Sequence, residues 1–279
     1  MGKIYDALEK AEKEKDHTVE VGKGIAAHLK KQNINNQDTE NLLKSIHVDA
    51  SADQNLVTYF KPQSLASEMF KILRGNILFP AKNKKPPKSI LVTSALPGEG
   101  KSFISANLAV SIAQNINEHV LLMDCDVRKS AIHSMFGLGD ASGLTEYLNH
   151  KATLADVLVK TDINKLTILP GGSTPQNPAE LLSSKEMRDL VAEVTHRYDD
   201  RYIILDSPPP QLTAETSAIA RQVDGVIVVV KTGWTPRDLV AELVDNIGKE
   251  KILGVVMNWF DLRSSSYYGY GKYSKYYGK

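Results

Sequence analysis

Cysteine is almost missing from this chain: Cys125 is the only one in 279 residues, which excludes an intramolecular disulfide framework and a cluster of cysteine metal ligands within one chain. A reducing cytosol suits such a sequence. Net charge is nearly missing too. With 34 Lys and Arg against 33 Asp and Glu, the balance is +1, so there is no electrostatic ground for a nucleic-acid partner. Long apolar runs are absent, because the longest, around Val226 to Val230 and Ile252 to Met257, fall far short of the ~20 residues that cross a bilayer. No signal peptide is read at the N-terminus, which alternates Lys, Glu and Asp where an apolar stretch is required. Met1-Gly2 is followed by Asp6 at the position where a myristoylation motif wants Ser or Thr. Membrane attachment would therefore come through a partner or an amphipathic surface.

The hydrophobic content of 42% is that of an ordinary soluble globular protein, and the length suits one large α/β domain with appendages or two small domains. Ile4, Ala7, Leu8 and Ala11 recur at helical spacing, so residues 1–15 read as a short amphipathic helix, packed on its own domain or docked on another protein. Residues 16–61 are polar and rich in Lys, Gln, Asn and Asp, and read as a linker with one weak helix around Leu42 to Ile46. The ordered body is expected over 62–261. Ser67 is placed to cap a helix through Met69, Phe70, Leu73, Ile77 and Leu78 that Pro80 stops. Short apolar runs then alternate with helical segments: Ile90 to Val92, Val120 to Met123, Leu166 to Leu169, Tyr202 to Leu205, Val226 to Val230 and Leu253 to Met257. Continuous apolar strands alternating with helices predict a doubly wound, mostly parallel sheet covered on both faces.

Three motifs carry chemistry. Ala95-Leu96-Pro97-Gly98-Glu99-Gly100-Lys101-Ser102 matches a phosphate-binding loop except that Ala95 replaces the opening Gly. The small residues let backbone N–H groups curl around phosphates, Lys101 supplies positive charge, and Ser102 is a candidate Mg²⁺ ligand at a helix N-terminus that favours anions. Phe103 follows as part of the same nucleotide-binding stretch. Two further strands end in acid, one at Asp124-Cys125-Asp126-Val127-Arg128 and one at Asp206-Ser207-Pro208-Pro209. Residues two apart in extended chain share a face, so Asp124 and Asp126 look into one site while Cys125 points away and packs beneath the sheet. A carboxylate at the C-terminal edge of a parallel sheet beside a phosphate loop suits Mg²⁺ binding, directly or through water. Finally, Tyr267, Tyr268, Tyr270, Tyr273, Tyr276 and Tyr277 crowd into the last thirteen residues among Gly, Ser and Lys, and 262–279 read as a flexible tail. Phenols tethered to a nucleotide-handling body suggest phosphate acceptors.

Together, Ala95 to Ser102, Asp124 to Arg128, Asp206 to Pro209 and the tyrosine cluster resemble the Walker A, A′ and B motifs and tail of bacterial tyrosine kinases, from about Ser64 to the C-terminus. Pro175 to Leu182 is also similar to theirs, as, more weakly, is Met1 to Glu12. The resemblance implies a P-loop autokinase using ATP and Mg²⁺, serving exopolysaccharide or capsule production. It implies a membrane-embedded chain-length modulator, a phosphotyrosine phosphatase, and a location at the inner face of the membrane through a partner. It makes Asp124 the first choice for accepting the phenolic proton, with Asp126 and Asp206 organising Mg²⁺; the residues alone do not separate base from metal organiser. Arg128 either binds phosphate or stabilises its turn. In the family a Glu-x-x-Arg-x-x-Arg helix builds a ring; here the matching residues are Glu68, Lys71 and Arg74, and lysine at the middle position lacks the planar guanidinium fork.

Two other functions compete. One is a positioning ATPase of the partition and cell-division kind, against which stand the tyrosine tail and Leu96-Pro97-Gly98 in place of a signature Lys-Gly-Gly. The other is a nucleotide-dependent scaffold whose tail only binds a partner.

Overall fold

The computed structural model describes residues 44–46, 52–80, 85–196, 201–208 and 215–260. The expected helix over 1–15 and the tyrosine tail lie outside them. In chain order the elements are β1 (Lys44–Ile46), α1 (Val57–Phe60), α2 (Leu65–Leu78), β2 (Ser89–Ser94), α3 (Lys101–Ala113) and β3 (His119–Asp124). Then come α4 (Ile132–Met135), α5 (Leu144–Leu148), α6 (Leu154–Val157), β4 (Val159–Thr161), β5 (Leu166–Leu169), α7 (Pro178–Leu182) and α8 (Lys185–His196). The last are β6 (Arg201–Asp206), α9 (Glu215–Ala220), β7 (Gly225–Lys231), α10 (Arg237–Ile247) and β8 (Ile252–Asn258).

The strands form one sheet in the order β1-β4-β5-β3-β6-β2-β7-β8. Every neighbouring pair is parallel except β4 and β5. All six residues of β2 are buried, as continuous apolar strands must be when helices cover both faces. Ile90 and Val92 pack into one core with α2, α3 and α4, through Phe70, Ile104 and Ile132. Leu91 points the other way, into a core with Leu144, Leu182, Leu190 and Leu243 from α5, α7, α8 and α10. The chain leaves β2 for β3 on one side of it and returns through β6 to β7 on the other, so the crevice outside β2's carboxyl end is a topological switch point, where open α/β sheets bind ligands.

Three expectations are corrected. Residues 44–46 form a strand rather than part of a helix, pairing parallel with β4 at the sheet's edge. The body begins well before Pro62: Leu56 is fully buried in the core, and the polar residues around it are satisfied by α3. The Thr58 amide donates to Asn107 Oδ1 (3.0 Å) and Asn107 Nδ2 donates to Asn55 O (2.9 Å). A polar stretch thus belongs to the core because distant side chains bond its backbone. The cap of α2 is Ser64, whose Oγ accepts from the Ser67 amide at 3.2 Å; Ser67 sits inside the helix, its hydroxyl 2.7 Å from Lys61 O.

Candidate active site: a phosphate cradle between two buried aspartates

The loop after β2 is shaped by two glycines in the left-handed region, Gly98 (φ +77°) and Gly100 (φ +94°). Gly100 is the N-cap of α3 and brings no capping side chain, which leaves the first-turn amides for an anion. A β-carbon at Gly100 would meet the end of the Asn258 side chain, which would have to move, at a φ that other residues rarely adopt. Ala95, which stands where the motif has Gly, is 1% exposed and belongs to the second core.

Glu99 organises the loop from behind. It is fully buried: Oε2 accepts from the Leu96 amide (2.7 Å), while Oε1 accepts from the Lys231 amide (3.3 Å) and the Thr235 hydroxyl. Asn258, the last residue of β8, donates Nδ2 to the Glu99 carbonyl at 2.9 Å. The loop is thereby held by β7, β8 and the turn after β7 before any nucleotide arrives, the preorganisation that phosphate binding rewards. Glu99 is read from the motif as a nucleotide contact, but its side chain points into the protein, so any such contact is made by backbone.

A cavity of about 550 Å³ opens at this edge, walled by Pro97, Gly98, Gly100, Lys101, Ser102 and Phe103 of the loop and by Asp126 and Arg128 facing them. Asp53, from the stretch expected to be linker, and Pro208 complete part of the wall. Lys101 is 6% exposed. Below the cavity, Asp124 and Asp206 are both fully buried and stand opposite each other as register partners on β3 and β6. Asp206 Oδ1 accepts from Ser105 Oγ at 3.0 Å, whereas Oδ2 has no hydrogen-bond donor. Burial, and then the Asp124 charge, push the Asp206 carboxyl well above the ordinary range, against the lowering effect of Ser102, Lys101 and Ser105. Asp124 is also raised, chiefly by burial, although its Oδ2 takes three donors: Ser130 Oγ (2.7 Å) and the Ala131 and Ile132 amides (3.0 Å each). Its Oδ1 accepts from the Asp126 amide at 3.1 Å. Cys125 is buried between them as expected, its thiol pushed up by burial and then by the neighbouring carboxylates.

A divalent cation fits this donor set. Among the described residues no three His, Cys, Asp or Glu side chains make a preformed metal cage, but Mg²⁺ is held by one or two carboxylates, with phosphates and waters filling its shell. The donorless Oδ2 of Asp206, with Ser102 beside it, is such a partial site.

The structure does not bring Glu68, Lys71 and Arg74 to the cavity. Lys71 pairs with Glu68 at 2.6 Å and reaches Pro62 O at 3.3 Å. Arg74 donates to Ser111 O at 2.6 Å, tying α2 to α3. Reading the sequence missed Ser105, Ser130, Thr235 and Asn258. Only Ser105 carried a local signal, since it follows Ser102 by three residues on one helix face; the others act across the fold.

Comparison with known proteins decides the family. The AAA domain family matches residues 87–252. The tyrosine-protein kinase YwqD of Bacillus subtilis is 38% identical over 219 residues, covering 78% of this chain and 91% of that protein. The chain belongs to the bacterial tyrosine-protein kinases. CapB of Staphylococcus aureus, a putative tyrosine-protein kinase, is 34% identical over 78% of this chain and 95% of its own. The crystal structure of the chimerical protein CapA2B2 superposes with a TM-score of 0.68 at 32% identity, over 81% of this chain and 99% of that one. The chain is therefore a protein-tyrosine kinase on a P-loop nucleotide-binding fold. Among the described residues no helix is long and apolar enough to cross a membrane.

Proposed function

We propose that this kinase uses ATP and Mg²⁺ to phosphorylate its own C-terminal tyrosines, Tyr267, Tyr268, Tyr270, Tyr273, Tyr276 and Tyr277. The observation that carries the reading is the tie from Asn258 to Glu99: the strand that leads into the tyrosine tail ends bonded to the phosphate loop. Tyr267 is seven residues past Phe260, a tether of at most about 25 Å from the edge that carries the cradle.

Ser102, Asp126 and Asp206 would hold Mg²⁺, which would supply positive charge to the phosphate oxygens. Lys101 and the loop amides do the same work from the protein side and position the transferred group. A phenol has a pKa near 10, so about one part in a thousand is ionised at pH 7, and a carboxylate must take its proton as transfer proceeds. Asp124 is the family's first choice, and its carboxylate is enclosed by four donors. Asp126 is half-buried and lines the cavity, which favours Asp126 for direct contact with the phenol and Asp124 as the group that fixes the turn. Arg128 faces the same cavity and suits a phosphate oxygen.

By resemblance the kinase works as a ring built through Glu68, Lys71 and Arg74, at the membrane's inner face. A membrane-embedded modulator of polysaccharide chain length activates it, and a phosphotyrosine phosphatase reverses it. Incubation with γ-labelled ATP and Mg²⁺, followed by mapping of the label, tests the reading. Label on the tail tyrosines is expected; free phosphate alone would make the chain a switch ATPase, and tight nucleotide binding with neither would make it a scaffold.

A further inference from the structure

The Asp124 carboxylate is held by a chain of side chains that no motif contains. Ser130 Oγ lies 2.7 Å from Asp124 Oδ2 and 3.0 Å from His133 Nδ1, and His133 Nε2 lies 3.0 Å from Ser134 Oγ. The direction of each bond follows from proton counting. Oδ2 already accepts from the Ala131 and Ile132 amides, so it acts as an acceptor, and the single hydroxyl proton of Ser130 points to it. Ser130 Oγ then has only lone pairs to offer His133, which must donate from Nδ1–H. In a neutral imidazole Nε2 is left as an acceptor, and Ser134 donates to it. The chain runs one way, from Ser134 through His133 and Ser130 to Asp124.

We propose that Ser130 and His133 are positioning residues for phosphoryl transfer: they lock the carboxylate around which the segment from Asp124 to Ile132 is folded, and so fix Asp126 and Arg128 against the phosphate loop. The geometry supports this at both ends. Asp124 Oδ1 accepts from the amide of Asp126 itself (3.1 Å), so rotation of the carboxylate moves a cavity wall. On the far side Gly171 leaves no room for slack, because a β-carbon there would come within 2.9 Å of Ser130 Oγ. His133 is half-buried and lines a separate cavity of about 330 Å³ with Asp140 and Glu146, so the chain ends at a solvent-filled cleft. The inference rests on the kinase reading above, and it adds two residues that act through Asp124 without touching substrate.

Two measurements test it. Ser130→Ala should lower kcat about 10- to 100-fold, the range for groups that orient a reacting residue, with little change in KM for ATP because the phosphate loop is untouched. Full activity of Ser130→Ala, or a loss confined to KM, overturns the proposal. The second readout needs no activity. The ¹⁵N spectrum of the His133 ring, assigned by comparison with His133→Gln, should show a protonated Nδ1 and a bare Nε2 in the wild type, and that pattern should be lost in Ser130→Ala. An Nε2–H ring in the wild type, or a spectrum indifferent to Ser130→Ala, overturns it. If wild-type protein transfers no phosphate at all, the kinase reading fails while the ring spectrum still reports on the hydrogen-bond chain.

Discussion

Asp124 and Asp206 face each other across β3 and β6 as register partners, each fully buried, with Oδ2 of Asp206 lacking any donor. Like charges directly opposite in a sheet, and away from water, oppose each other and oppose folding. The pair makes sense as a site shaped for a cation, whose charge would add to the relief that Lys101 gives Asp206.

Stability should therefore depend on pH in a particular direction. Both carboxyls titrate higher in the folded protein than in the unfolded chain, to about 6 for Asp124 and about 7 for Asp206. Between about pH 4, the ordinary carboxylate value, and pH 7 the folded state holds protons that the unfolded chain has released, so stability falls as pH rises through this window and levels off above it. Melting curves without nucleotide should show a lower Tm at pH 8 than at pH 5.5, and Mg²⁺ with nucleotide should narrow the gap. Asp206→Asn should raise Tm at pH 8 by several degrees, at about 2 to 4 °C per kcal/mol for a domain of this size, while abolishing transfer. A Tm that rises toward pH 8, or an Asp206→Asn protein less stable than wild type there, would contradict this account of the pair.

Glu99→Gln tests whether the loop is held from behind. The glutamate accepts from two amides and a hydroxyl, and a glutamine must present an NH₂ group to one of those donors. Leaving a buried amide unpaired costs about 1–3 kcal/mol. We expect a lower Tm and weaker nucleotide binding by calorimetry, although no side-chain contact to nucleotide has been removed. Unchanged affinity would mean that the loop closes without Glu99.

Strands β2, β3, β5, β6, β7 and β8 were legible because each is a continuous apolar run, and the phosphate loop and both acidic strand ends were legible because each is local in sequence. What escaped was non-local or very short. Strands β1 and β4 have three residues each, too few to show a period. Glu99 is in the motif, but its partners Lys231 and Thr235 are more than 130 residues away, so nothing nearby reveals that its carboxylate turns inward. The start of the body escaped for the same reason, since the polar residues before Lys61 are paired by Asn107 of α3 and Gln114 at its C-cap.

Leu56 is the apolar anchor of that early segment. It is 0% exposed and packs in the core below α3, so Leu56→Ala should cost about 2–5 kcal/mol in denaturant unfolding. A loss under about 0.5 kcal/mol, the range of ordinary surface substitutions, would show that residues before Pro62 are an appendage after all.

Delivery of the tail is the last expectation. Lys101→Met should abolish transfer, at least about 100-fold as for loss of a key charge-stabilising group, while a side chain of similar length keeps the loop's packing. Such a subunit still carries its tyrosines, so it serves as a pure acceptor. Mixed with an active subunit whose six tail tyrosines are Phe, it should become labelled if one subunit's tail enters another's site; no label, where wild type labels itself and mixed assemblies form, would confine transfer to one chain. Each phosphotyrosine adds about 1.5 to 2 negative charges, and several would crowd against the nucleotide phosphates and Asp124, Asp126 and Asp206. Lys272, Lys275 and Lys279 offset only part of that charge, so a heavily modified tail should leave its neighbour and the assembly should loosen. Sedimentation before and after phosphorylation measures this. An oligomer unchanged after several tail tyrosines are modified would defeat release by charge, and a monomer throughout would show that Glu68, Lys71 and Arg74, two of them already paired with each other and the third with α3, build no ring.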